Sequence, residues 1–383
     1  MIKKFILFCL ILIVNTGFLW SFEKVDQRDI VTIDFGMVER GIEWLEFIKA
    51  GKDDLAIKNF FMTKVAPTKG CQAIIHHWER FMKWDEEEFY KFTMAAMDRI
   101  PTKEKIKKEN GTLTIFSRRR SLWLKALNNT NVLKKDMLEL KKINLREKAI
   151  RKAKKFLPSG TILEAEFYFV LFGHSPAFSV GKENGYDLLQ LKKKKNGTID
   201  LKHLTDLIAH ELHHTGFSYL TNRNLADVRN QENIFLLGVL ASEGMATYFI
   251  NQPFKHLEEY KSGEEMIYRM VADDWEKHSA HIKELYQEAE NDIRLNLKGK
   301  LDQDSIMSRW VSGAVGAAYV LGTNLISVID THLGRDKAIE VASDCRHLLL
   351  LYNQAAKKAK EKGILCFVFN EELAKKLLRY KGD

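Results

Sequence analysis

Proline is scarce, with 5 in 383 residues. The strongest helix breaker is nearly absent, so a helix-rich chain is expected. Cysteine is scarce too, at 4: Cys9, Cys71, Cys345 and Cys366. That excludes a dense disulfide framework and leaves stability to a hydrophobic core. Cys345 with Cys366 is a candidate bridge. No internal repeat is visible, and no basic stripe is interleaved with aromatics, so no nucleic-acid partner is expected. Neither sign of charge dominates: Lys and Arg exceed Asp and Glu by 9. The excess lies in clusters, Arg118 to Arg120, Lys192 to Lys195 and Lys357 to Lys362, of the kind that form solvated faces. Attraction to an anionic membrane surface is weak at this charge.

What is present is apolar material: 45% of residues are hydrophobic. That supports one large domain or two modest ones. The chain starts Met1-Ile2-Lys3-Lys4, then runs almost wholly apolar from Phe5 to Trp20. A short basic region before an apolar run is the pattern of a secretory signal. Residues 1–21 are therefore expected to be a signal peptide, cleaved near Ser21. An uncleaved membrane anchor is the alternative. Export to the periplasm, cell envelope or extracellular space follows from either, and Cys9 leaves with a cleaved signal.

The organising stretch is His210-Glu211-Leu212-His213-His214. Residues four apart on a helix share one face, so His210 and His214 can reach one Zn²⁺. Glu211 then borders the same cleft, placed to move protons as a general base. A chance His-Glu-x-x-His in a chain of this composition has odds on the order of one in thirty, so context must support the motif. Leu201, Leu204, Leu207, Ile208, Leu212 and Thr215 give it a helical stripe. Thr198 or Asp200 can cap that helix. Apart from Glu211, no charge lies between Asp206 and Arg223, as in a buried helix.

A catalytic zinc needs a third protein ligand and an open position. A third histidine six residues after His214 is absent, since Leu220 stands there. Glu243 is the only charged residue between Asn233 and Phe254. A carboxylate inside an apolar helix is costly unless it meets a cation. Zinc is one such cation, and a buried Arg or a polar cavity is the alternative.

His210, Glu211, His214 and the downstream Glu243-Gly244-Met245-Ala246 resemble the gluzincin metallopeptidases, whose second motif often reads Glu-Gly-x-Ala. The long gap between His214 and Glu243 is most similar to a group of uncharacterised bacterial zinc-dependent peptidases. The resemblance covers roughly residues 160–335. It implies His210, His214 and Glu243 as zinc ligands and Glu211 as the base. Some gluzincins orient a ligand histidine with an Asp four residues past the ligand Glu. Here that position is Thr247, so such support must come from elsewhere. The group also shows a Tyr-x-x-Gly element, matched by Tyr319-Val320-Leu321-Gly322. Tyr319 can then stabilise a developing oxyanion; a core tyrosine bonded to backbone is the alternative reading.

The expected fold class is α+β, predominantly helical. Residues 22–157 form a helical N-terminal region with helices over about 36–61, 71–99, 113–127 and 132–157. His76 and His77 on the second are packed or exposed side chains rather than ligands. Pro158-Ser159-Gly160 opens residues 158–383, by resemblance a zincin-like catalytic core with a small sheet preceding the motif helix. Strands are expected within 161–180 and at 185–191. An edge strand there can pair with an extended peptide. Residues 310–329 carry no charge; their Gly, Ser, Thr and Asn content favours a buried helix over a membrane span. His278 and His281 fit an exposed helix face, and 336–363 a further helix. The reading is an exported zinc-dependent metallopeptidase with peptide or protein substrates and no obligate partner. The alternatives are a zinc hydrolase of a non-peptide amide or ester, or a non-catalytic zinc-stabilised envelope binding protein.

Overall fold

The computed structural model describes residues 26–100, 115–263 and 266–382. The expected signal peptide lies outside the described residues. In chain order the elements begin with strand β1 (Ile30–Asp34) and helices α1 (Gly36–Lys49), α2 (Asp54–Phe60), α3 (Lys69–Met82), α4 (Glu86–Ala96), α5 (Ile115–Asn128), α6 (Thr130–Lys141) and α7 (Leu145–Lys154). Strands β2 (Glu164–Val170), β3 (Ala177–Val180) and β4 (Glu183–Asp187) precede helices α8 (Leu201–Asn224) and α9 (Phe235–Ala246). The remainder is α10 (Leu257–Ser262), α11 (Met266–Ala280), α12 (Ile282–Leu297), α13 (Gln303–Ile306), α14 (Ala317–Leu333), α15 (Arg335–Ser343), α16 (Leu348–Glu361) and α17 (Glu371–Leu378). The fold is α+β and predominantly helical, as expected.

Four of the expected long helices are each two. The one over 36–61 breaks at Gly51, whose φ of 69° is left-handed, and Asp53 recaps the chain by accepting from the Ala56 N–H at 2.9 Å. The one over 71–99 breaks at Lys83, whose φ of 51° is left-handed, and Asp85 recaps the chain by accepting from the Glu88 N–H at 2.8 Å. The one over 132–157 breaks at 142–144, where Asn144 caps α7 through the Glu147 N–H at 3.2 Å. The one over 336–363 breaks at Asp344, which accepts from Arg346 N–H and starts a short 3₁₀ turn. In each case a side-chain oxygen caps the first helical turn after the break, in the last case the 3₁₀ turn that leads into α16. The sheet is larger than expected, with order β1-β2-β4-β3. β1 pairs parallel with β2, β2 parallel with β4, and β3 antiparallel with β4. The second expected strand stops at Asp187 and becomes a 3₁₀ turn over Leu188–Gln190. Buried Asp29 ties β1 down: it accepts from the Leu163 N–H at 2.9 Å and pairs with Lys154 at 2.8 Å.

α8 packs across the sheet and against α7, and α9 packs along α14. One large apolar cluster joins the sheet, α8, α9, α14 and α16 with α1 and the other N-terminal helices. The uncharged stretch at 310–329 is a π turn followed by α14, whose Leu321, Leu325, Ile326 and Ile329 are fully buried. By length and composition, 231–251 is the one described helical stretch that passes for a membrane span, and 61% of its apolar 18-residue window is buried inside the protein. Cys71, Cys345 and Cys366 are free thiols, so the candidate bridge is not formed.

Candidate metal centre

α8 starts at Asp200, which accepts from the His203 N–H at 3.1 Å. Its apolar stripe, including Leu204, Ile208, Leu212 and Leu220, is buried. Gly216 lets the helix lie close to the chain before β2, where a Cβ would stand 2.4 Å from Leu157. That burial turns the opposite stripe of α8 toward α9. His210 and Glu211 are 5% and 8% exposed. Glu243 sits in α9 among Leu236, Leu237, Leu240, Ala241 and Met245, all fully buried.

His210 and His214 face each other with Nε2 atoms 3.0 Å apart. Glu243 Oε2 lies 3.5 Å from His210 Nε2 and 3.3 Å from His214 Nε2. Among the described residues this is the one grouping of three such donors, all within 4.8 Å of one another. Three N or O ligands on one tetrahedral zinc, each at about 2.0–2.1 Å, stand about 3.3 Å from one another. The observed spacing matches. The buried Glu243 Oε2 also accepts no hydrogen bond from the protein. A buried carboxylate oxygen without a donor, facing two imidazole nitrogens, suits a divalent cation.

The electrostatics point the same way. Burial alone would raise the Glu243 carboxyl, but His214 and His210 override it and hold the group well below the usual carboxylate range. Burial likewise works against charge on His214, yet Glu243 lifts it to about 9. Burial pushes the Glu211 carboxyl up, against the pull of His210 and His214. Burial also raises the Tyr319 phenol well above its ordinary value, and the Glu243 and Glu211 carboxylates add to the rise. Tyr319, in the first turn of α14, therefore faces this cluster, and its hydroxyl interacts with Glu243.

The other histidines go elsewhere. His213 is fully buried and its Nε2 bonds the Phe156 carbonyl at 3.2 Å. His76 pairs with Glu183 at 2.6 Å, and His77 stacks on Phe178. His281 is exposed. Thr247 Oγ1 is buried with no hydrogen-bond partner, so it orients neither imidazole. The residue that sequence reasoning missed is Ser242, whose Oγ lies 2.7 Å from His214 Nδ1. Its position beside Glu243 was the available signal.

A family model with the description "Putative zinc dependent peptidase (DUF5700)" matches residues 62–361, a span that includes every residue of this cluster. No curated protein and no solved structure gives a match.

Proposed function

We propose that this chain, which belongs to the family described as putative zinc dependent peptidases, is a gluzincin-type metallopeptidase that hydrolyses peptide bonds with Glu211 as its base. The observation that carries this reading is the convergence of His210, His214 and Glu243 beside a glutamate in the second position of the motif. A purely structural zinc has no need of that glutamate.

His210 Nε2, His214 Nε2 and a Glu243 oxygen would hold the ion. When bound, zinc supplies a Lewis acid that polarises a carbonyl and brings the acidity of water near neutral pH. Glu211 takes the proton from the attacking water and returns it to the leaving nitrogen. Its raised carboxyl suits a group that must both accept and release a proton near neutrality. The Tyr319 hydroxyl donates to the oxygen that becomes negative as the carbonyl carbon turns tetrahedral.

A peptide substrate is supported by the sheet. β3 lies at its edge and packs on α8, the helix that carries the motif. An edge strand offers unpaired N–H and C=O groups to an extended chain, which adds as a further strand. Export is part of the same reading, supported by the basic start and apolar run over residues 1–21. N-terminal sequencing of the protein from its native host tests it. The activity test is a peptide library digested by the zinc-loaded protein, with Glu211→Gln in parallel. Cleavage by the parent chain and none by the variant is expected. Equal cleavage by both removes Glu211 as the base.

A further inference from the structure

Two consecutive residues of α9 address both nitrogens of one imidazole. Ser242 Oγ is 2.7 Å from His214 Nδ1, and Glu243 Oε2 is 3.3 Å from His214 Nε2. His210 is not held in this way: its Nε2 faces the cluster, while its buried Nδ1 has no hydrogen-bond partner. The two histidines are thus unequal, one ring fixed at both ends and the other at one.

We propose that Ser242 is a positioning residue that fixes the tautomer and ring plane of His214 for zinc. The proposal rests on the reading of His210, His214 and Glu243 as ligands. A neutral imidazole has one N–H and one lone pair. For Nε2 to face a cation, the proton must sit on Nδ1, and an acceptor there must hold it. Ser242 Oγ is that acceptor. Some gluzincins place such a partner four residues after the ligand glutamate, but here that residue, Thr247, makes no bond. In this chain the partner is the residue just before the glutamate. A single segment of α9 therefore carries both a ligand and the support of another, so that any shift of this helix displaces the two together. A partner to a ligand histidine is worth about tenfold to a hundredfold in metal affinity.

The test is competition for zinc between a chromogenic chelator and the full chain after any signal cleavage, for the parent, Ser242→Ala, Ser242→Thr and His214→Ala. Alanine is a better helix former than serine, so Ser242→Ala should fold, as circular dichroism would show. We expect its zinc affinity to fall ten- to a hundredfold. Ser242→Thr, which keeps the hydroxyl, should recover most of that loss. The visible spectrum of the cobalt-substituted protein should shift in Ser242→Ala and return toward the parent in Ser242→Thr. Parent-like affinity and an unshifted cobalt spectrum in Ser242→Ala, with zinc lost in His214→Ala, would overturn the role of Ser242 and leave the ligand set standing. A parent chain that takes up no zinc overturns both.

Discussion

Gly244 of α9 and Gly322 of α14 meet backbone to backbone: a Cβ on Gly244 would stand 2.4 Å from the Gly322 carbonyl carbon. Glu243 is the neighbour of the first and Tyr319 lies three residues before the second. Glycine at both positions lets the two helices approach until a carboxylate and a phenol share one pocket. Alanine at either position must force the helices apart, at a cost of about 1–3 kcal/mol or more. Gly238, also in α9, is the contrast, because a Cβ there meets nothing within 4 Å. Gly238→Ala should stabilise the helix by about 0.5–1 kcal/mol. Denaturant unfolding of the three variants should therefore show changes of opposite sign, and loss of stability in Gly238→Ala would contradict this packing.

On the proposed reading, Glu211 acts in the chemistry and His214 holds the metal. Glu211→Gln keeps the shape and should keep zinc while peptide hydrolysis falls by about 10²–10⁴-fold. His214→Ala should lose both. Metal content measured beside turnover tells the two apart.

Tyr319→Phe removes one hydroxyl from a half-buried ring. If that hydroxyl serves the oxyanion, kcat falls by about 10²–10³-fold with zinc affinity unchanged. If it only braces Glu243, zinc affinity drops and kcat of the loaded protein holds. Steady-state kinetics with a chelator titration decides between them.

Acid should weaken the fold through buried histidines outside the His210–His214–Glu243 cluster. Burial lowers His77, His174 and His203 to about 4 from an ordinary 6.5. Between those values the unfolded chain binds more protons than the folded one. Stability is therefore full above about pH 6.5, falls as pH drops toward 4, and levels off below. The slope is up to about 1.4 kcal/mol per pH unit for each histidine. Urea midpoints from pH 7 to pH 4 measure it. His203→Gln should flatten the slope, since it removes one such group, the one whose Nε2 meets the Tyr268 hydroxyl at 2.9 Å.

The convergence of His210, His214 and Glu243 was readable because its signals are local. A four-residue step puts His210 and His214 on one helix face, and Glu243 is the lone charge in an apolar helix. The small sheet was readable from the aromatic and β-branched run that became β2. What could not be read depends on contacts distant in sequence. Nothing in Ile30 to Asp34 says that it pairs with Glu164 to Tyr168. The break at Lys83 has no glycine or proline to mark it; a lysine adopts the left-handed turn there. Ser242 acquires meaning only when α9 lies against α8 and its hydroxyl meets His214.

The measurement that bears most directly on this account is anomalous scattering at the zinc absorption edge from crystals of the purified protein, with metal content determined on the same sample. One zinc per chain is expected, with a single anomalous peak bonded to His210 Nε2, His214 Nε2 and a Glu243 oxygen. A peak elsewhere, or crystals free of zinc with Glu243 turned away from the two histidines, would contradict it.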